Sequence, residues 1–270
     1  LSSKMGLEIF VICVIVTLSN AMPLSRRLVD MTHVFKDNTS GYPGMKEFKI
    51  DDLHNGTSEM IGGLWLQMEE YSSGTHIGTH MDAPSHFIKG GANIDDIPPT
   101  EFFGPAAVID ITSKSALDSD AEVTVEDLLL WESATGQNLN GTILLLNSGW
   151  GQKWNDRPAY YGNEENGATD LHFPGFSPVA CQWLVENRSI KGIGTDTLSL
   201  DKGSTTSEFL SHVTVLGNGI FVLENVANVD KIPIYGSMLY VFPMKIGKAS
   251  GAPTRIVASI PEVIYKLPSE

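Results

Sequence analysis

Short apolar runs recur along the chain, and clusters of glycine, proline and polar residues separate them. Runs of this kind that are rich in β-branched, leucine and aromatic residues are typical of β-strands. The pattern therefore predicts strands at 28–34, 64–71, 106–112, 142–148, 190–194, 220–227, 239–246 and 254–260.

Helical patterns are fewer. The segment 124–135 has apolar residues at helical spacing, and either Thr124 or Asp120 is a candidate N-cap. A second helix is predicted at 178–187, where Ser177 stands at the N-cap and a proline takes the first helical position. A short third helix is predicted at 206–211.

The order of these elements indicates an α/β protein. The strands at 106–112 and 142–148 bracket the first helix, whereas most other strands follow one another with few helices between them. No internal repeat or low-complexity linker divides residues 22–270. We therefore predict a single α/β domain with a mixed β-sheet flanked by helices.

Charge narrows the range of partners. The 270 residues include 32 acidic and 18 basic side chains, for a formal net charge of −14, and the basic residues do not cluster. Affinity for nucleic acid comes mainly from cationic contacts to phosphate, so neither nucleic acid nor an anionic membrane surface is expected as a partner. The acidic balance is compatible with binding metal cations.

The N-terminal region resembles an export signal. An apolar run at 9–18 is followed by small residues that suit cleavage after Ala21. The run is too short to cross a bilayer as a helix, which takes about 20 apolar residues. We expect a signal peptide at 1–21, a mature domain at 22–270 that is secreted and extracellular, and no membrane contact after cleavage.

Sequons and cysteines fit that expectation. The chain has four N-x-S/T sequons, which are candidate glycosylation sites, at Asn38, Asn55, Asn140 and Asn187. The alternative interpretation is turn chemistry, above all where glycine follows at 56 and 141. Of the two cysteines, Cys13 lies in the expected signal, and Cys181 sits in a helical pattern as a buried small hydrophobe. A disulfide framework is therefore not expected.

The segment 75–87, "THIGTHMDAPSHF", carries three of the seven histidines. His76 and His80 have the four-residue spacing of metal ligands on a helix. The glycines at 74 and 78, the β-branched threonines and Pro84 make a helix unfavourable here. The helical interpretation is therefore rejected.

An extended backbone explains the segment better. Positions 76, 80, 82 and 86 share parity, so their side chains would lie on one face of a strand. Gly78 on that face would leave room for a bulky group, and Pro84 favours extended geometry at Ala83. Imidazoles and a carboxylate that converge on one point form a ligand set for a first-row metal ion.

The same segment resembles the H-x-G-T-H-x-D-x-P-x-H-F signature of the cyclase family. These metal-dependent hydrolases include bacterial kynurenine formamidase and isatin hydrolase. Further segments resemble the family along most of the mature chain, namely "LVDMTHVFKDNTSGYPG" (28–44), "LLLNSGW" (144–150), "IGTDTLSLD" (193–201) and "SHVTVLGNGIFVLENVANV" (211–229).

The resemblance implies a role for each matching position. His76, His80 and Asp82 match metal ligands, and His86 matches a residue that is either a ligand of a second ion or a base. His212 and Glu224 match the late ligand pair of the two-zinc kynurenine formamidase branch, whereas the isatin hydrolase branch resembles a one-manganese site. It also implies a swivelling β/β/α fold and a homodimer.

The sequence pattern itself supports the assignment of Glu224 as a metal ligand. Glu224 is the only charged residue in an apolar run at 220–227, and burying it is costly unless a cation pairs with it. The alternative is an exposed glutamate on an edge strand. The other histidines, at 33, 54 and 172, have no cluster of ligand-type residues around them in the sequence, so we expect them to be exposed to solvent or to form structural hydrogen bonds.

A hydrolase follows from these assignments. Zinc or, alternatively, manganese, as one or two ions, would activate water for attack on a small amide, formamide, lactam or ester, with His86 moving the proton. Aromatic residues beside the matching segments, Phe35, Tyr42 and Trp65 among them, are candidates for stacking on the substrate, although core packing or loop anchoring is the favoured role for any one of them. The second hypothesis is an extracellular matrix or cation-associated protein that keeps the site for a structural metal.

Overall fold

The computed structural model describes residues 26–39, 41–162 and 170–262. The predicted signal peptide at 1–21 lies outside the described residues. Within the described ranges, no helix has both the length and the apolarity that crossing a membrane requires.

Most of the chain forms short strands joined by turns. The strands are β1 (Arg26–Asp30), β2 (Lys49–Ser58), β3 (Leu64–Ser72), β4 (His80–Asp82), β5 (Phe103–Asp110), β6 (Glu122–Val123), β7 (Ile143–Asn147), β8 (Gly175–Phe176), β9 (Gly192–Thr195), β10 (Phe221–Glu224), β11 (Met238–Pro243) and β12 (Gly251–Pro261). The helices are α1 (Thr112–Ser115), α2 (Val125–Thr135), α3 (Arg157–Tyr161), α4 (Pro178–Asn187) and α5 (Leu210–Gly217).

Eight strands form one sheet in the order β1-β12-β11-β5-β7-β9-β10-β4. β4 also pairs with β12, so the sheet closes on itself like a barrel. The strands β5, β7, β9 and β10 are parallel neighbours, whereas β4, β11 and β12 pair antiparallel. The predicted mixed α/β sheet is thus confirmed, and its closure into a barrel is an addition.

Two apolar layers stabilise the sheet. Alternate residues of β7 divide between them, with Leu144 and Leu146 in the layer under α2, α4 and α5, and Ile143 and Leu145 in the other. Because successive side chains of a strand point to opposite faces, a strand buried on both faces is apolar throughout. This explains the unbroken run of leucines in the sequence.

The main helix predictions are confirmed. Thr124 caps α2 in a capping box with Asp127, so Asp120 is not the cap, and Ser177 Oγ accepts the amide of Ala180 at the start of α4. The predicted helix at 206–211 is wrong. The helix there is α5, which starts only after Phe209, because Phe209 has a left-handed φ of 39° that no helix continues through.

Three strands were not predicted: the two-residue strands β6 and β8, and the longer strand β2. β2 is the polar sequence "KIDDLHNGTS", which has no apolar run, and it forms a hairpin with the predicted strand β3. Within the described structure these two strands pair only with each other. Exposed apolar side chains are unusually frequent in this hairpin, at Ile50, Leu53, Met60, Ile61, Leu64, Trp65, Met68 and Tyr71.

The contact between β9 and β10 leaves no space at Gly192. A Cβ atom there would collide with the ring of Phe221 on the adjacent strand. We expect Gly192→Ala to lower the free energy of unfolding by about 1–3 kcal/mol, the usual cost of overpacking a core. Urea denaturation measures this, with Gly56→Ala as the control, because a Cβ at Gly56 meets open space. Equal midpoints for the two variants would contradict the prediction.

Candidate metal centre

Strand pairing gathers the ligand-type side chains. β4 lies between β10 and β12, and His80 stands directly opposite Glu224 across the antiparallel β4–β10 pair. Opposed residues on neighbouring antiparallel strands have their side chains on the same face and in contact. The pairing therefore joins an imidazole and a carboxylate that are distant in the chain.

Asp82 and His76 complete this side of the cluster. Asp82 lies two residues after His80 on β4, so its side chain points to the same face. His76 lies in a bend before the strand, with its Nδ1 2.6 Å from Asp82 Oδ1 and its Nε2 2.9 Å from Ser250 Oγ. The His76 ring occupies the space that a side chain at Gly251 would fill.

His212 enters from helix α5 on the other side. Its Nε2 lies 2.9 Å from Glu224 Oε1 and 3.6 Å from Asp82 Oδ2. The second oxygen of Glu224, Oε2, lies 3.3 Å from His80 Nε2. All five side chains are buried.

The five residues form two groups that share Asp82. The first contains His76, His80 and Asp82, the second contains Asp82, His212 and Glu224, and within each group the ligand atoms lie within 4.8 Å of one another. The two groups thus have the composition of two adjoining cation sites bridged by one carboxylate.

Two atoms at the centre test whether a metal ion fits. His80 Nε2 and Asp82 Oδ2 are buried and have no hydrogen-bond partner among the described residues. A buried polar atom left unpaired costs about 1–3 kcal/mol. Imidazole nitrogen and carboxylate oxygen are the donors that zinc and related first-row ions take. The donor set and its unpartnered atoms therefore fit a divalent ion.

The charges of the cluster lead to the same conclusion. Burial lowers the pKa of His80, but the Asp82 and Glu224 carboxylates outweigh burial and raise it to about 10. Burial also opposes protonation of His212, yet its hydrogen bonds to Asp201 and Glu224 and the nearby Asp82 carboxylate raise its pKa well above the usual value. Two buried carboxylates thus demand a positive charge, which either protons on the histidines or a metal ion supplies.

His86 lies beside the cluster and belongs to neither group. It sits on a 3-10 turn, Pro84–His86, and its ring stacks on that of His76 with centroids 3.8 Å apart. Burial, opposed by Asp82, lowers the pKa of His86 to about 4, so the ring is neutral at neutral pH. The placement favours a proton acceptor over a metal ligand.

Aromatic rings line this part of the cluster. Phe87 stacks on His212 with centroids 4.8 Å apart, Phe209 lies 5.7 Å from Phe87, and Tyr42 lies 6.3 Å from Phe209. Burial raises the pKa of the Tyr42 hydroxyl, and the Glu224 and Asp201 carboxylates raise it further. Tyr42 is thus close to the site.

Two other predicted substrate contacts lie elsewhere. Trp65 is on β3 of the exposed hairpin and has no recorded contact with the cluster in the described part of the chain. The ring of Phe35 fills the space next to Gly78, which was expected to stay open for a bulky group. Gly78 itself has a left-handed φ of 55°, so the segment turns there and is extended only over β4.

Several neighbours of the ligands were not predicted as site residues. Asp201 Oδ2 lies 2.6 Å from His212 Nδ1. Asn225 donates to the Gly78 carbonyl oxygen, which also lies 2.9 Å from His80 Nδ1. Asp201 is the last residue of the segment 193–201, and Asn225 follows Glu224 directly. The sequence signal that could have identified them is a polar residue close to a predicted ligand or in a matching segment.

The chain is similar to known proteins over most of its length. The Cyclase family model matches residues 29–202. Isatin hydrolase of Roseibium aggregatum is 31% identical over 196 residues, which cover 70% of this chain and 73% of that protein. Kynurenine formamidase of Bacillus cytotoxicus is 27% identical over 232 residues, which cover 85% of this chain and 95% of that protein.

A solved structure has the same fold. Isatin hydrolase A from Labrenzia aggregata, bound to benzyl benzoate, superposes with a TM-score of 0.79 at 30% sequence identity. The match covers 88% of this chain and 94% of that one. The closed mixed sheet is therefore shared with a protein of related sequence.

Gly251 offers a test of the cluster. A methyl group there would displace the His76 ring from Asp82, so we expect Gly251→Ala to weaken binding of a divalent ion, probed with zinc, at least about tenfold, as displaced groups around metal ligands do. Zinc affinity is measured by competition with a chromogenic chelator. Gly247→Ala is the matched control, because its nearest neighbour is at 3.8 Å, ordinary contact distance. Unchanged affinity in Gly251→Ala would show that His76 is not a ligand.

Proposed function

Because this chain belongs to the cyclase family, we propose that it is a metal-dependent hydrolase that cleaves a C–N bond in a small amide, formamide or lactam, or the corresponding ester bond. The observation that carries the proposal is the pair of buried ligand groups that share Asp82. The relatives named isatin hydrolase and kynurenine formamidase support the reaction class.

Zinc is the ion we propose, with manganese as the alternative. A bound divalent ion would lower the pKa of water from about 16 toward 7 and polarise the carbonyl of the substrate. His76, His80 and Asp82 would hold one ion, and Asp82, His212 and Glu224 a second. Imidazole-rich donor sets favour zinc over the oxygen-preferring ions.

His86 is the proposed proton carrier. Its ring stacks on His76 but stands outside both ligand groups, and its lowered pKa keeps the ring neutral, with a lone pair that can take a proton. A neutral imidazole next to the reacting carbonyl can take a proton from water and return it to the leaving nitrogen or oxygen. Phe87, Phe209 and Tyr42 would bound the substrate on that side, with their ring faces available for stacking.

The decisive variant is His80→Ala. We expect it to lose zinc and to reduce hydrolysis more than about 100-fold, the upper end of what loss of an outer partner of a metal ligand costs. Formamide, lactam and ester substrates are assayed with added Zn²⁺ or Mn²⁺, after chelation and after metal return. His172→Ala is the control, because His172 pairs with Asp120 and Asp170 away from the cluster.

The possible outcomes distinguish a hydrolase from a cation-associated structural protein. Full activity and full metal content in His80→Ala would refute the hydrolase mechanism. Tight metal binding by the wild type without turnover of any substrate class would instead favour the cation-associated structural protein.

We further propose that two copies associate through the hairpin of β2 and β3. A two-stranded hairpin is marginally stable in water without a partner surface. The exposed apolar residues of this hairpin form the kind of patch that marks protein contacts. In such a dimer Trp65 would contact the partner, which gives it a role that it lacks within one chain.

Light scattering after gel filtration tests the dimer. Trp65→Asp places a charge in the contact, and we expect the dimer to dissociate at micromolar concentration, with a dissociation constant raised about 30-fold or more, as for loss of an interface hot spot. Leu117→Asp is the control, because Leu117 is 91% exposed and lies on another part of the surface. A dimer that survives in Trp65→Asp would exclude this interface.

Export and glycosylation are the last two properties that we propose. We propose secretion after cleavage at Ala21 and glycosylation at the sequons, since the asparagines at 38, 55, 140 and 187 are all exposed. The swivelling β/β/α description of the fold also stays a prediction.

A further inference from the structure

Asp201 lies directly behind the ligand-type histidine of helix α5. The side chain is 3% exposed, and its Oδ2 lies 2.6 Å from Nδ1 of His212. The same carboxylate accepts two backbone N–H groups of the helix start, Ser211 N at 2.9 Å on Oδ1 and His212 N at 3.2 Å on Oδ2. Asp201 thus contacts both the ring and the backbone of His212.

The carboxylate decides which ring nitrogen is available. An ionised carboxylate can only accept, so Nδ1 of His212 carries a proton and donates it to Asp201. The lone pair is then left on Nε2 when the ring is neutral, and Nε2 is the atom that faces Glu224 and Asp82. His80 follows the same rule with a backbone acceptor, because its Nδ1 lies 2.9 Å from the Gly78 carbonyl oxygen.

The helix start needs Asp201 for a second reason. Residue Phe209, at the N-cap of α5, provides no side-chain hydrogen bond. First-turn N–H groups of a helix lack partners within the helix. Asp201 accepts two of them from outside, so the position of the helix and the orientation of the His212 ring depend on one group.

We propose that Asp201 is the positioning residue of the metal centre: it holds the Nδ1 proton of His212 and fixes Nε2 as the ligand atom. The inference rests on the proposed function, because it concerns binding of the same ion. Partners of this type typically contribute 10–100-fold, by order of magnitude, to metal affinity.

The experiment compares Asp201→Asn and Asp201→Ala with the wild type. Asparagine has one acceptor oxygen, so it cannot serve the ring and both backbone N–H groups, although it can still accept from the start of the helix. We expect the zinc dissociation constant, measured by chelator competition, to rise about 10–100-fold in both variants. The absorption spectrum of bound Co²⁺ should change as well, since it reports the ligand geometry.

Asp196→Asn is the matched control. Asp196 is also 3% exposed, lies on the same turn and accepts backbone N–H groups, those of Ser148 and Gly151, but it does not contact the ligands. We expect its zinc affinity to stay within about threefold of the wild type, well below the roughly 10–100-fold effect of losing a partner of a metal ligand. Thermal unfolding of each metal-free variant separates a loss of stability from a loss of affinity.

The possible results are distinct. Wild-type zinc affinity in Asp201→Asn, with or without reduced stability of the metal-free protein, would overturn the positioning role and leave the hydrolase proposal standing. A wild type that binds neither zinc nor manganese would overturn both. If both variants fail to fold, ¹⁵N NMR of histidine in zinc-loaded wild type decides, because a protonated Nε2 on His212 contradicts the inference and a protonated Nδ1 supports it.

Discussion

Two buried carboxylates that face each other set the conditions for everything around them. Asp82 and Glu224 lie on neighbouring strands, and each is almost fully removed from water. Like charges at this depth repel, and neither can remain ionised without positive charge nearby. The three imidazoles around them meet that condition when protonated, and a divalent ion meets it with their neutral nitrogens as ligands.

The surrounding fold keeps these groups from separating. Apolar layers on both faces of β7 hold the central parallel strands, and β10 continues that sheet to Glu224. A cluster of like charges is unfavourable in itself, so its persistence depends on the stability of the packed sheet. The favourable packing of the core thus offsets the repulsion within the site, whose charged side chains would otherwise move apart.

Local patterns in the sequence predicted most strands, the helices α2 and α4, and the parity of His80 and Asp82, because each of these follows from short-range rules. They failed where tertiary contacts decide the backbone. The bend at His76 needs the space that the missing side chain of Gly251 leaves, and the turn that ends at His86 begins at Pro84. β2 has no apolar signal and exists through its pairing with β3. The helix predicted to start at 206 begins only at Leu210, four residues later, because Phe209 before it is left-handed.

β4 is bonded along both of its edges, to β10 on one side and to β12 on the other. Its three residues are therefore part of the seam of the barrel, and their backbone cannot open as a surface loop does. Amide protons in such a position exchange with solvent only when a large part of the structure opens. An ion held by His80 and Asp82 would accordingly leave through rotation of side chains or through unfolding of the barrel. Where the ion leaves only when the barrel opens, its lifetime, and not its affinity alone, reports the kinetic stability of the whole domain.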